Sequence, residues 1–564
     1  MNKWLHMRRR MVALGASIVL IGTSVVSGVS AHAAEGDLGN IKTDRTGSIT
    51  LHKHESGTQN AAGQINGANA NSVGGAGVAG VTFTAYPISN VNLTTSAGWQ
   101  KLHNFQVPAN ACDGNRPSIA TLTFGAAKTF PETQADGATV LNRMTVGAYL
   151  ICETNAPDTV KKKAAPFIVT LPQPGATPGS WVYDIHAFPK NTVINTPVKS
   201  VKVTGVGIGE HEDQRQVSFD IRVKIPNLAK NTRANPQSDE FFRYFIIGDS
   251  LVAGHTRGQV TAVRLANSDT EAGSDIPATY YEADNNSATR HWLSVSFLEG
   301  RTSNTKGLSY LRDNAGKYVV VTIAANTTTL PSDGKLPNTG YLIVDTTKGT
   351  QPPYTQQTGR PYNPPTQAGE TPTKKSNEPD IIPTNKVVTA WGRVQFTKIS
   401  DDTPGTPLQG AEFEIYVAAN NGEACLPNPT GNAIKVNGKT RFTSNEQGIV
   451  EIPGLFVASA ASSGQTDPQI GDAHKCYVLK EVVAPLGYIL PPGQGAYTPV
   501  KVVPGATSTG NVQKISNQRV TVPELPLTGT SGTLIASTVG TGLILASVGA
   551  VLVRRRQQMA EGEI

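Results

Sequence analysis

The 564-residue chain contains no glycine-rich phosphate loop, no nucleophile elbow and no zinc-ligand spacing. That removes the usual sequence signs of nucleotide-dependent, hydrolytic and zinc enzymes. His52 and His54 alternate along one strand face, a placement expected to meet solvent rather than a metal, and no cofactor is implied. Cysteine is scarce: Cys112, Cys152, Cys425 and Cys476 are the four. An even number suits an exported protein in which disulfides persist, and pairing within domains would join Cys112 to Cys152 and Cys425 to Cys476. Long helical periodicity is missing between the two ends, and so are long apolar runs. The formal charge of +7 includes basic clusters at both termini, so it makes no case for nucleic acid.

What is present starts at the ends. Lys3, Arg8, Arg9 and Arg10 precede an apolar stretch from Met11 to Val26, and Ala31-His32-Ala33 fits a small-x-small cleavage site. Residues 1–33 therefore read as a secretory signal peptide, outside fold reasoning. At the other end LPLTG, Leu525 to Gly529, is followed by an apolar run from Thr533 to Val553 and by Arg554, Arg555 and Arg556. That run is long enough to cross a bilayer core as a helix, with the arginines on the cytoplasmic side. Together the parts of 522–564 resemble a Gram-positive cell-wall sorting signal. The resemblance implies that a sortase recognises Leu525, Pro526, Leu527, Thr528 and Gly529 and cuts after Thr528. A second copy, KLPNTG at Lys335 to Gly340, is followed by YLIVDTTKG with no span and no basic tail. It reads as a structural strand.

Two distant regions repeat in order. GSITLHK (Gly47 to Lys53) matches GRVQFTK (Gly392 to Lys398), GVTFTAY (Gly80 to Tyr86) matches GAEFEIY (Gly410 to Tyr416), and YLICETNAP (Tyr149 to Pro157) matches YVLKEVVAP (Tyr477 to Pro485). Three blocks in series mean two copies of one domain, at 34–192 and 391–521, around a different domain at 193–390. Apolar and polar residues alternate within each block and Gly, Pro, Asn and Ser separate them, which predicts an all-β chain of three tandem Ig-like sandwiches. The Pro-, Thr- and Gln-rich stretch 346–379 fits either a linker or a long hairpin loop.

Period-two alternation puts charge where an apolar face is expected. Lys398 follows Val394 and Phe396, Glu481 shares a face with Tyr477 and Leu479, and Asn517 shares one with Ile515. A lone buried ammonium or carboxylate costs several kcal/mol, so the three call for one another. Either they form a buried ion pair with a bonded amide, or a neutral lysine attacks the Asn carboxamide while a protonated acid polarises it, losing ammonia. In the middle domain Lys199 shares a face with Val201 and Val203, Asp249 with Ile247 and Leu251, and Asn338 with Leu336 and Leu342. The repeat sets Lys53 and Glu153 opposite Lys398 and Glu481, with Asn191 as their acceptor.

GRVQFTK, GAEFEIY and YVLKEVVAPLGY resemble the collagen-adhesin B-type domains of Gram-positive surface proteins, whose E-box Glu catalyses a Lys–Asn amide bond. The resemblance implies Lys398–Asn517 with Glu481, Lys199–Asn338 with Asp249 in an A-type middle domain, and Lys53–Asn191 with Glu153. Val482 stands where that family usually has Thr, but the carboxyl is retained. WVYDIHAFPKN, Trp181 to Asn191, resembles the pilin motif of shaft pilins, with Phe188 in place of the motif's Tyr. Its Lys190, which Pro189 is expected to leave exposed, would be the amine that attacks the sortase acyl-enzyme.

Over nearly its whole length the chain is similar to the major shaft pilins of Gram-positive sortase-assembled pili, SpaA and FimA type. That family implies a structural subunit, not an enzyme, polymerised head-to-tail through Thr528 and Lys190 and displayed as a wall-anchored surface pilus that supports adhesion and colonisation. The implied partners are identical subunits, a pilin-class sortase, a housekeeping sortase with peptidoglycan, minor tip or base pilins, and host receptors. The other reading of the same ends is a singly wall-anchored adhesin that binds host protein or glycan.

Overall fold

The computed structural model describes residues 41–522 except 57–74, 104, 115, 176, 178, 211–214, 230–238, 286–290, 356–358, 376–379, 403–404 and 506–512. The signal peptide and the LPLTG signal with its apolar run lie outside the described residues. The chain forms two compact units, divided along the sequence at Val193/Ile194.

In the first unit, alternation in the strand Thr46–His52 buries Ile49 and Leu51 and turns Ser48, Thr50 and His52 outward. This strand lies between Asp184–Ala187, parallel, and Ala138–Thr145, antiparallel. The other sheet runs Lys128–Thr129, Thr82–Pro87, Gly147–Asn155, Phe167–Leu171. Phe83, Ala85, Tyr149, Ile151 and Ile185 complete the core between the two. Residues 88–127 are an insertion on the outer side, with a helix, Ser96–Leu102, whose first turn is capped by the Thr95 hydroxyl accepting from Gly98 N at 3.2 Å. The insertion has its own apolar cluster around Ile88, Leu93 and Leu150 and is tied to the sheet by Cys112–Cys152, 40 residues apart. After Pro189 the chain forms a further strand, Lys190–Val193, parallel to His54–Glu55.

The second unit holds two sandwiches joined by one strand. Asp380–Ser400, 21 residues, pairs over its first half with Lys335–Lys348 of the middle sandwich. Farther along it pairs with Ile449–Ala461 and, in parallel, with Gln513–Asn517 of the C-terminal sandwich. The 390/391 boundary expected from the sequence therefore falls inside a strand, and Trp391 there is fully buried. One continuous apolar core runs from Ile194 to Val502. The middle sandwich closes with the sheet Val198–Val203, Val217–Lys224, Tyr318–Thr327, His255–Ala266, Ser274–Asp275. The C-terminal one closes with Pro429–Thr430, Glu412–Ala418, Lys475–Val483, Tyr497–Val502, and Cys425 bonds to Cys476. The stretch after Lys348 is a long hairpin loop rather than a linker: it connects two adjacent antiparallel strands and buries Tyr354 and Tyr362, the latter accepting from Trp292 Nε1 at 3.1 Å.

Candidate functional site

Each sandwich buries a cluster of a lysine, an acid and an asparagine. In the C-terminal sandwich Lys398 and Asn517 lie on neighbouring parallel strands, since Ser400 pairs with Asn517, and Glu481 reaches in from the opposite sheet. Lys398, Glu481 and Asn517 are 0, 2 and 1 % exposed. Lys398 Nζ donates to Glu481 Oε2 at 3.0 Å and to Asn517 Oδ1, and Asn517 Nδ2 donates to Glu481 Oε1 at 2.7 Å. Burial pushes the Lys398 amine down and the Glu481 carboxyl up in pKa, and their mutual attraction takes back part of both shifts.

The first unit repeats this arrangement from the matched blocks. Lys53 Nζ donates to Glu153 Oε2 at 2.9 Å and to Asn191 Oδ1, and Asn191 Nδ2 donates to Glu153 Oε1 at 2.7 Å. Asn191 pairs with Glu55, two residues past Lys53, the same offset that Asn517 has from Lys398. Ala164 N also donates to Glu153 Oε2, at 2.9 Å. Burial lowers the Lys53 amine to about 8.

The middle sandwich exchanges the sheets. Asp249 pairs with Gly340, so Asp249 and Asn338 share a face on adjacent antiparallel strands, and Lys199 crosses from the other sheet to donate to Asp249 Oδ2 at 2.5 Å. Burial raises Asp249 and lowers Lys199. The Asn338 carboxamide lies close to Asp249, but both its polar atoms lack a well-formed hydrogen bond, as does Asp249 Oδ1. Lys202, on the opposite face, is exposed.

An aromatic ring lies beside each ammonium, which alternation alone did not assign. Lys53, Lys199 and Lys398 sit 5.6, 4.6 and 5.7 Å from the ring centres of Phe83, Phe219 and Phe413. A signal existed for two of them, because Phe83 and Phe413 occupy one position of the repeat. His255, edge-on to Phe219, had none; burial and then the Lys199 charge hold it at about 4.

KLPNTG forms the start of the strand Lys335–Lys348, paired on one edge with Asp380–Ser400 and, from Thr339 onward, on the other with Glu240–Ser250, with Leu336 buried. Its glycine has a packing reason: a Cβ on Gly340 would lie 2.6 Å from Ile221 Cδ1.

Lys190 is half-buried rather than exposed. Pro189 does not release the chain into solvent, because the next strand starts at once and sets Lys190 in register with His54. Burial lowers its amine. On the same outer face His52 stacks on Phe188 at 4.7 Å and shares a 2.9 Å hydrogen bond with His186. His52 and His54 are therefore half-buried as well, not in solvent. Among the described residues no group of His, Cys, Asp and Glu is arranged to hold a metal.

Tandem β-sandwiches of this kind suit a surface-fibre subunit, and the comparisons place the chain in that class. Residues 44–192 match the family of the Gram-positive pilin subunit D1, N-terminal domain. The chain is 34% identical over 544 residues to a fimbrial subunit type 2 of Actinomyces naeslundii, covering 94% of this chain and 93% of the relative. It is 25% identical over 575 residues, 98% of this chain and 99% of the other, to a fimbrial subunit type 1 of Actinomyces viscosus. The full-length major pilin SpaD of Corynebacterium diphtheriae shares the fold, with a TM-score of 0.56 and 21% identity over 86% of this chain and 99% of that one. The chain belongs to the Gram-positive fimbrial subunits, which are structural proteins of a cell-surface pilus and not enzymes.

Proposed function

We propose that this pilus shaft subunit is polymerised by a transpeptidation that uses Thr528 of one copy and Lys190 of another. A pilin-class sortase thiolate attacks the Thr528 carbonyl, and the peptide beginning at Gly529 leaves. The neutral Lys190 amine of a second copy then attacks the thioester, an amide forms, the proton is lost and the sortase thiolate is regenerated. Head-to-tail repetition is a heterologous contact that does not close, so a fibre grows. A housekeeping sortase then transfers the finished fibre to peptidoglycan through Thr528 of the last-added copy, the one not joined to a Lys190, after transient membrane anchoring by the Thr533–Val553 run. The observation that carries this reading is the position of Lys190: it follows Phe188-Pro189 and opens the strand Lys190–Val193 within the unit that matches the pilin family, and burial favours its neutral, nucleophilic form.

The three buried clusters belong to the same function. In each, the acid in its protonated form polarises the Asn carbonyl, the neutral lysine attacks it, and ammonia leaves. Lys398–Asn517, Lys199–Asn338 and Lys53–Asn191 would become covalent ties that remove extended states from the unfolded ensemble. Supporting this, two clusters hold amine, amide and carboxyl in mutual hydrogen bonds with no water-facing atom to spare. Substituting Lys190→Ala in the producing strain should abolish the high-mass ladder on denaturing gels while single subunits still reach the wall; a persisting ladder rejects Lys190.

A further inference from the structure

The tip of the C-terminal sandwich carries an apolar rim outside the core. The turn after the E-box strand runs beside the chain that leaves the last strand: Tyr488 bridges Arg519, Ile489 N donates to Gln518 O at 2.9 Å, and Val520 N donates to Gly487 O at 2.9 Å. That pairing gathers five exposed apolar side chains at one place, Leu486 at 98 %, Val522 at 79 %, Val520 at 48 %, Ile489 at 46 % and Leu490 at 42 %. A single exposed leucine needs no explanation; a cluster of five marks an interaction surface.

Sequence spacing fixes what lies nearby in a fibre. Thr528 is six residues past Val522, so its carbonyl is held within roughly 20 Å of the rim, the reach of a fully extended chain of that length. If that carbonyl is joined to Lys190 of a second copy, the surface around that lysine is held against the rim at high local concentration. This surface has matching character. Phe188, two residues before Lys190, stacks on His52 and stands in the same outward row as Lys190 and His54.

We infer that the Leu486–Leu490 turn, with Val520 and Val522, docks on the His52–Phe188 surface of the second copy whose Lys190 accepts the acyl group. The inference rests on the Thr528-to-Lys190 reading and deepens it. Sortase reads five residues, which any sorting signal offers, whereas the rim lets the acceptor recognise the folded donor behind the motif. Donor selection is then a property of the pilin pair.

The test is a single-turnover transfer with the pilin-class sortase. The donor is the full chain carrying Lys190→Ala, and the acceptor is the full chain lacking LPLTG, so that only one conjugate forms. Leu486→Asp in the donor should slow conjugate formation about tenfold, the size of a modest interface anchor. With hydroxylamine in place of the acceptor, acyl release should be unchanged. Val522→Asp should act in the same direction. Conjugation of Leu486→Asp at the wild-type rate overturns the docking surface. Equal slowing with hydroxylamine overturns it too, because the rim would then serve the sortase. An acceptor carrying Lys190→Ala that still accepts would instead defeat the Lys190 reading, whatever the rim does.

Discussion

Glu481 illustrates what a single residue decides in this molecule. Its two carboxylate oxygens receive the lysine and the asparagine, one each, so the carboxyl both neutralises the unreacted pair and aligns it. Glu481→Ala should leave Lys398 and Asn517 unjoined, so that the intact mass of the purified mature chain lies about 17 Da, the retained ammonia by stoichiometry, above that of the same variant with the bond formed. It should also destabilise the C-terminal sandwich by about 3–5 kcal/mol, the usual result of stranding a buried charge. An unchanged crosslink in the peptide map would sink the catalytic role. For Lys53 the sign of the pH effect can be worked out. Its folded amine titrates near 8 against 10.5 when unfolded, so between those values the unfolded chain binds more protons and stability rises with pH. An Asn191→Ala variant, which cannot crosslink, should therefore gain thermal stability from about pH 8 to 10.5 and be flat just below. These positions were legible in the sequence because a strand has period two: a lysine two residues past Phe396 has to point inward. The phenylalanines beside the lysines and His255 could not be read from alternation: Phe83 and Phe413 come from the facing sheet, Phe219 and His255 from other strands of the Lys199 sheet, and the period of one strand says nothing about either.

At the scale of the element, the internal KLPNTG shows how one pentapeptide serves two ends. Its backbone is paired with Asp380–Ser400 from Lys335 and on the other edge with Glu240–Ser250 from Thr339, so in the folded protein the motif is an ordinary strand, expected to be closed to a sortase. Leu336→Ala should cost about 2–5 kcal/mol in the middle sandwich, as buried Leu truncations do, without moving the cleavage site. A sortase fragment ending at Thr339 from folded protein would refute this. The absence of a membrane span after the motif made the strand readable in advance. The shared strand Asp380–Ser400 was not readable. Residues 387–392 are buried on both faces, so the alternation that identifies a half-buried strand vanishes where the two sandwiches join. The exposure expected for Lys190 failed for a related reason, since a four-residue strand after a proline leaves almost no pattern.

For the whole molecule, three sandwiches and two disulfides were implied by the order of the repeats and the cysteines alone, because covalent and periodic features survive without knowledge of packing. The middle and C-terminal sandwiches, however, share a core and a strand, so they act as one body. The N-terminal unit differs in one respect: its acceptor Asn191 is adjacent to Lys190. A tie from Lys53 would lock the strand that carries the nucleophile, so it is expected to form only after Lys190 has been joined. Free monomer should then lack the ammonia loss at Lys53, and peptides from assembled fibre should show it. Equal loss in both would end the assembly-coupled version.

The parallel pairing of Gln513–Asn517 with the end of Asp380–Ser400 has a mechanical consequence. Pulling a fibre draws the long strand toward its Asp380 end and the last strand toward its Asn517 end, at opposite ends of the ladder. The rungs are then loaded together in shear instead of being peeled one by one. Asn517, at the rung where the pull enters, is also the Lys398 partner, so once tied the tension passes into the long strand through an amide and the residues between 398 and 517 carry none of it. A hook placed elsewhere on the same sandwich would open it like a zipper.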